Sequence, residues 1–200
     1  MIDLFVKGGI VMYPIALGAI LALGIFLERV YSLRRVKVVP DRLLIALKEL
    51  LATKKLSEAE VMCRQDKSAL ATIFLSGIKV EKRNRERLKE SFSEAGKSVA
   101  ADLERYLSAM GTIAGISPLM GLLGTVTGMI SVFQQVTSQG VGDPRMLAAG
   151  IWEALITTAA GLAVAIPTYV GYRHLLSKVD SLVLELEEAA TMAMDYLEED

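Results

Sequence analysis

The sequence predicts an all-α integral membrane protein with three transmembrane helices and long cytoplasmic helical extensions. Three observations lead there. The 200-residue chain is 52% hydrophobic, and its mean hydropathy of +0.43 is high for a water-soluble domain. The apolar excess is concentrated in three runs that contain no charged residue. Of the 22 Lys and Arg residues, 18 fall between the first and second of those runs. A net charge of −1 gives no reason to expect nucleic acid as a partner. The single cysteine, Cys63, forbids an intramolecular disulfide and a cysteine-built zinc site. The single histidine, His174, argues against hydrolytic triads and histidine metal centres. Both residues read as ordinary, Cys63 in a polar loop helix and His174 at an interface. No enzymatic activity and no metal are expected.

A helix needs about 20 apolar residues to cross a hydrocarbon layer of about 30 Å. The first run, residues 8–27, supplies 20. It exceeds the h-region of a signal peptide, about 7–15 residues. Asp3 offsets Lys7 before it and Glu28-Arg29 follows it, so a retained helix is expected after a short outer segment, 1–7. The second run, 106–142, has 37 residues, too many for one crossing. Its end, QQVTSQGVG, is polar, so the helix is placed over 106–136 and an outer loop over 137–145. The third run, 154–172, has 19 residues and extends back to a helix over 146–172, with Pro144 near its opening, where proline is favoured. Pro118 and Pro167 lie inside the second and third helices as candidate kinks.

Lys and Arg set the orientation. Arg29, Arg34, Arg35 and Lys37 crowd the exit of the first helix, Arg173 and Lys178 follow the third, and the loop between the second and third has only Arg145. The consistent solution puts the N-terminus outside, residues 28–105 in the cytoplasm and the tail, 173–200, inside.

The cytoplasmic parts read as helical. Over 41–55, Leu43, Leu47, Leu50 and Leu51 share a face directly after Pro40, and Ser57 with Glu60 has the spacing of a capping box. The tract 79–90 carries six bases and three acids; it reads as a solvated helix face, with anionic lipid headgroups as the alternative contact. Leu88, Phe92, Ala95, Val99, Leu103, Tyr106 and Met110 recur every three or four residues, which predicts one stripe on a continuous helix entering the second crossing. Leu175, Val179, Leu182, Leu186, Ala189, Ala193 and Leu197 repeat the pattern in the tail. The two stripes are expected to pack together, assisted by a tail with eight acids to two bases and a loop with 18 bases to 12 acids.

Small residues dominate the second and third crossings. Gly121, Gly124 and Gly128 on one, and Gly150 and Gly161 on the other, allow backbones to approach where lipid offers no hydrophobic drive. Three helices cannot enclose a water path, so any pore requires several copies. Thr125 lies 16–17 residues before the centre of the outer loop and Thr158 16–17 after it, so antiparallel helices bring both to similar depth. Each threonine, including Thr127 and Thr157, is open to two readings: a packing residue bonded to its own helix, or a polar lining group. Glu153 is the one acid within the crossings. An intramembrane carboxyl is costly when charged and can load and release protons. Its other reading is a marker of the outer interface beside Trp152.

Two motifs carry a resemblance. Residues 121–130 read GLLGTVTGMI, and residues 149–167 read AGIWEALITTAAGLAVAIP. With the three-crossing layout, they resemble the MotA/TolQ/ExbB proton-channel family, most closely its ExbB and TolQ branches. The resemblance implies a bacterial inner-membrane homo-oligomer, a pentamer, with a periplasmic N-terminus and cytoplasmic C-terminus. It implies a single-span ExbD- or TolR-like partner inside the pore, carrying an essential aspartate. Protons are the implied coupling ion, with no other cofactor, and their flow would energise a TonB- or TolA-like protein acting on the outer membrane. Glu153, Thr125 and Thr158, with Thr157 beside it, take the implied proton-path positions. Two departures bear on pore packing: Thr127 replaces a common tryptophan, and Trp152 occupies a usually small position. A flagellar stator subunit fits less well, because that layout has four crossings and a larger cytoplasmic domain. A non-conducting membrane scaffold is the alternative from another class.

Overall fold

The computed structural model describes residues 9–80, 84–139 and 144–198. Over these the chain forms α1 (Met12–Ser32), α2 (Arg35–Val38), α3 (Asp41–Ala52), α4 (Leu56–Gln65), α5 (Ala69–Ile78), α6 (Arg85–Leu103), α7 (Leu107–Gln139) and α8 (Pro144–Glu198). Among the described residues, three helices, α1, α7 and α8, are long and apolar enough to cross a membrane. Of the loop expected over 137–145, residues 140–143 lie outside the described residues and the rest falls in the ends of α7 and α8; residues 1–8 lie outside them too. Contacts divide the chain into two compact units, Met1–Leu27 with Tyr106–Arg173 and Glu28–Arg105 with His174–Asp200.

In the first unit, three apolar helices pack through small side chains. Buried positions on α7 run Leu107, Met110, Ala114, Ser117, Gly121 and Gly124; on α8 they run Ala154, Thr157, Gly161, Ala165, Thr168 and Gly171. Steps of three and four keep each set on one face of its helix. A Cβ on Gly18 of α1 would touch Ile113 at 3.4 Å, and one on Gly171 would meet Met110 Cε at 3.0 Å and Phe26 at 3.1 Å. Leu17, Ile20, Leu21, Leu23 and Leu27 of α1 are exposed. An apolar exterior on a helix that is also apolar within suits lipid. Pro118 and Pro167 both lie inside continuous helices.

The second unit is an amphipathic helical assembly with a core of larger side chains. Leu33, Leu47, Leu70, Phe74 and Leu88 are fully buried. Ser68 caps α5 by accepting from the Ala71 N–H at 3.2 Å, and Asn84 caps α6 by accepting from the Arg87 N–H at 2.9 Å. Gly77 of α5 packs against the Phe92 ring of α6, 2.8 Å from Cε1 for an added Cβ. All seven tail-stripe residues, from Leu175 to Leu197, are buried. Arg85 pairs with Glu198 at 2.6 Å, and Val99 shares a cavity wall with Val183 and Leu186, so α6 and the tail of α8 run antiparallel.

Two local expectations are corrected. The stripe from Leu88 to Met110 is not on one continuous helix. α6 stops at Leu103, Tyr106 adopts a left-handed φ of +65°, and α7 starts at Leu107. A left-handed residue ends a helix by turning its chain off the axis. Tyr106 is consequently 45% exposed, and Leu107 takes the buried position. At the end of α6 the carbonyls of Asp102 and Leu103 accept from the buried Arg29 guanidinium at 3.3 and 3.4 Å. The Ser57–Glu60 capping box does not form either. α4 begins two residues earlier than the box requires, with Lys55 in place of Ser57 as N-cap and no side-chain cap bond, while Glu60 pairs with Arg64 at 2.6 Å.

Truncating Phe74 to Ala is expected to cost about 3–5 kcal/mol, as for other buried aromatic truncations. A markedly lower thermal midpoint of the detergent-solubilised chain checks this. Burial, with a contribution from Asp66, pushes the Cys63 thiol up to about 11. The neutral thiol is favoured in the fold, so its contribution to stability is present below the ordinary thiol range and is lost as pH rises through about 11. Maleimide labelling at pH 8 should therefore be slow in the folded protein and fast after denaturation.

Candidate functional site

The site is built on the crossing of α7 and α8. A Cβ on Gly121 would lie 2.9 Å from the Thr157 carbonyl oxygen and 3.0 Å from Thr158 Cα, and one on Gly161 would lie 2.5 Å from the Ser117 oxygen and 3.1 Å from Gly121 Cα. Both distances to backbone are shorter than side-chain carbons tolerate, so only glycine allows this approach. The same seam sets Gly124 against the Thr157 side chain, Gly128 against Ala154 and Gly150 against Val132. These pairs fix an antiparallel register. It brings Thr125 and Thr158 to within about one helical turn of the same level.

The close approach lets side chains reach the opposing backbone. Thr158 Oγ1 donates to the Gly121 carbonyl at 3.0 Å. Thr157 Oγ1, buried in the seam, donates to Ala154 O at 2.7 Å and approaches Gly121 O at 3.3 Å. Thr125 donates to Leu122 O at 2.6 Å, and Thr127 to Leu123 O at 2.9 Å. Every one of these hydroxyls has its proton committed to a carbonyl. What each still offers is lone pairs, so it can accept from a further donor.

Glu153 is placed differently. It is exposed at the surface of its own chain, flanked by the exposed side chains of Ile151, Trp152 and Leu155. Its Oε1 lies beside Gly9, 3.2 Å from where a Cβ would be. Glu153 makes no hydrogen bond or ion pair among the described residues. Five residues apart, Glu153 and Thr158 lie about 140° apart around the helix axis. One chain therefore does not aim both at a single point, whereas Glu153 and Thr157, four residues apart, share a side. Sequence reasoning missed Gly9 as the neighbour of Glu153, and Ser117 as the opposing surface for Gly161. The spacing 117–121–124 was the available signal for Ser117. Among the described residues, no group of acids, histidine and cysteine is arranged to hold a metal ion.

The fold and the seam define an all-helical, multi-pass membrane protein with polar groups on two small-residue helices. The sequence profile of the MotA/TolQ/ExbB proton channel family matches residues 65–188, and the chain belongs to that family. It is 34% identical over 185 residues to a putative biopolymer transport protein ExbB-like 1 of Synechocystis sp., covering 88% of this chain and 71% of that protein. It is 42% identical over 81 residues to the biopolymer transport protein ExbB of Helicobacter pylori, covering 40% of this chain and 56% of that one. Over 80 residues it is 39% identical to the Tol-Pal system protein TolQ of Haemophilus influenzae, covering 40% of this chain and 35% of that one.

Replacing Gly161 with Leu should force α7 and α8 apart and break the Thr158–Gly121 bond. The expected outcome is loss of a stable folded chain in detergent, read as aggregation on gel filtration, while Ala163→Leu on the exposed side of α8 elutes normally.

Proposed function

We infer that this chain is a proton-channel subunit of an inner-membrane motor driven by the proton motive force. Five copies would surround a single-span ExbD- or TolR-like partner and energise a TonB- or TolA-like protein. The N-terminus would be periplasmic, and residues 28–105 and 173–200 cytoplasmic. The carrying observation is Glu153: a carboxyl without a hydrogen-bond or ion-pair partner among the described residues, set in an apolar surface. Such a group is costly in lipid, so neighbouring copies or a partner must cover it.

The chemistry follows from the proton bookkeeping at the seam. Thr125 and Thr158 have donated their protons to carbonyls, so their free lone pairs receive a donor, while Thr157, enclosed in the seam, holds the wall behind them. A protonated partner carboxyl or a water is such a donor; an ionised carboxylate is not. The threonine wall would hold the neutral acid and release it on ionisation, with Glu153 setting the local field. The glycine and alanine seam supplies the rigid backbone that keeps these acceptors in place. Similarity to a protein named TolQ supports a second reading of the client, a TolQ-type role in envelope integrity.

With the partner co-expressed and reconstituted in vesicles, Glu153→Gln should assemble normally and lose at least about tenfold in proton flux. Full flux through a normally assembled variant would overturn the role of the acid. A wild-type complex that assembles and passes no protons would identify a scaffold.

A further inference from the structure

A groove of about 410 Å³ in the second unit is lined by Arg35, His174, Ser177, Lys178, Ser181 and Glu185, over a floor that includes the buried Leu182. Arg35 is held in a fixed attitude. Its Nε donates to Glu185 at 2.7 Å, and its Nη1 donates to both Asp41 oxygens at 2.8 and 2.9 Å. The bond to Asp41, then that to Glu185, raises its pKa further above the ordinary arginine range. Three of the five guanidinium donors are thereby used, and the two on Nη2 are unspent. Lys178, His174 and the Ser177 hydroxyl make no ion pair or side-chain hydrogen bond among the described residues. Arg35 is shared between Glu185 in the lining and Asp41 beside it, so with Lys178 these four side chains balance in charge, and Lys178 is the lysine of the lining with no ion pair among the described residues.

The α8 residues of the groove also follow closely on the third apolar run along the chain. His174, Ser177 and Lys178 follow Tyr172, the last residue of the third uncharged run, along the unbroken α8. Their separations of two, five and six residues are about 3, 8 and 9 Å along the axis. The polar layer on each side of a bilayer is about 5–8 Å thick. Nearby, Lys37 Nζ sits 3.3 Å from the Tyr31 ring centroid and Arg34 lies 5.2 Å from it, a base-and-aromatic cluster of the kind found at membrane interfaces.

We propose that this groove binds the phosphate of an anionic phospholipid headgroup, through Lys178, the Ser177 hydroxyl and the Nη2 edge of Arg35, with His174 as a further donor. The inference needs α8 to cross the membrane; it does not need proton conduction, and headgroups lie on both faces of a bilayer. The unpaired charge of Lys178 favours a headgroup without its own ammonium, such as phosphatidylglycerol, over phosphatidylcholine.

The full chain in nanodiscs of phosphatidylcholine, with and without one-fifth phosphatidylglycerol, tests it. The readouts are the thermal midpoint and the lipid retained on native mass spectrometry. The wild type should gain several degrees and retain phosphatidylglycerol preferentially. The double variant Ser177→Ala, Lys178→Gln should lose most of both effects while matching the wild type in phosphatidylcholine alone. Lys178→Arg should keep them. Equal dependence on phosphatidylglycerol in wild type and double variant would overturn the proposal. Millimolar inorganic phosphate in phosphatidylcholine discs should give no gain; a gain equal to that from phosphatidylglycerol would assign the groove to a soluble anion and overturn the lipid reading.

Discussion

The contact between the backbones of α7 and α8 at Gly121 and Gly161 governs the rest of the membrane unit. With no Cβ on either side, the helices close until the Thr157 carbonyl and Thr158 Cα meet Gly121, and Ser117 meets Gly161. Lipid gives helices no hydrophobic reason to associate, so close dispersion contact and short polar bonds must supply it. The crossing supplies both. It also sets the register that pairs Gly124 with Thr157 and Gly128 with Ala154. The depth of every hydroxyl in the unit follows from that register.

The polar groups of this unit fall into two physical classes. The threonines are satisfied within the chain, each donating to a carbonyl of its own helix or the opposing one. Glu153 is not. A satisfied hydroxyl in a seam stabilises a fold, whereas a carboxyl on an apolar surface is a cost until a partner covers it. The second unit handles its charges in the ordinary aqueous way, through exposed pairs such as Arg85–Glu198, individually weak. Its core rests on Leu33, Phe74, Leu88 and the tail stripe.

Much of this was legible in the residues. The three apolar runs correspond to α1, α7 and α8, because twenty uncharged residues in succession have few other fates. The tail stripe was legible because its period of three and four is long and unbroken. Where reading failed, a single local conformation outweighed periodicity. Tyr106 sits on the stripe yet turns left-handed, and the Arg29 guanidinium from a distant segment bonds the carbonyls at the end of α6. The Ser57–Glu60 spacing suited a capping box, but a start at Leu56 places Ser57 inside the first turn and gives Glu60 to Arg64.

The sequence by itself determined the class of protein, the three long apolar helices and the candidate polar residues, since hydropathy and motif spacing are properties of the linear chain. Tertiary structure alone decided which hydroxyls spend their protons, that Thr157 is enclosed in the seam, and that Glu153 emerges beside Gly9. The reason is geometric. A residue's place in the sequence gives its angle around its own helix, but its partners depend on how far two backbones close and at what register, and the two glycines set both.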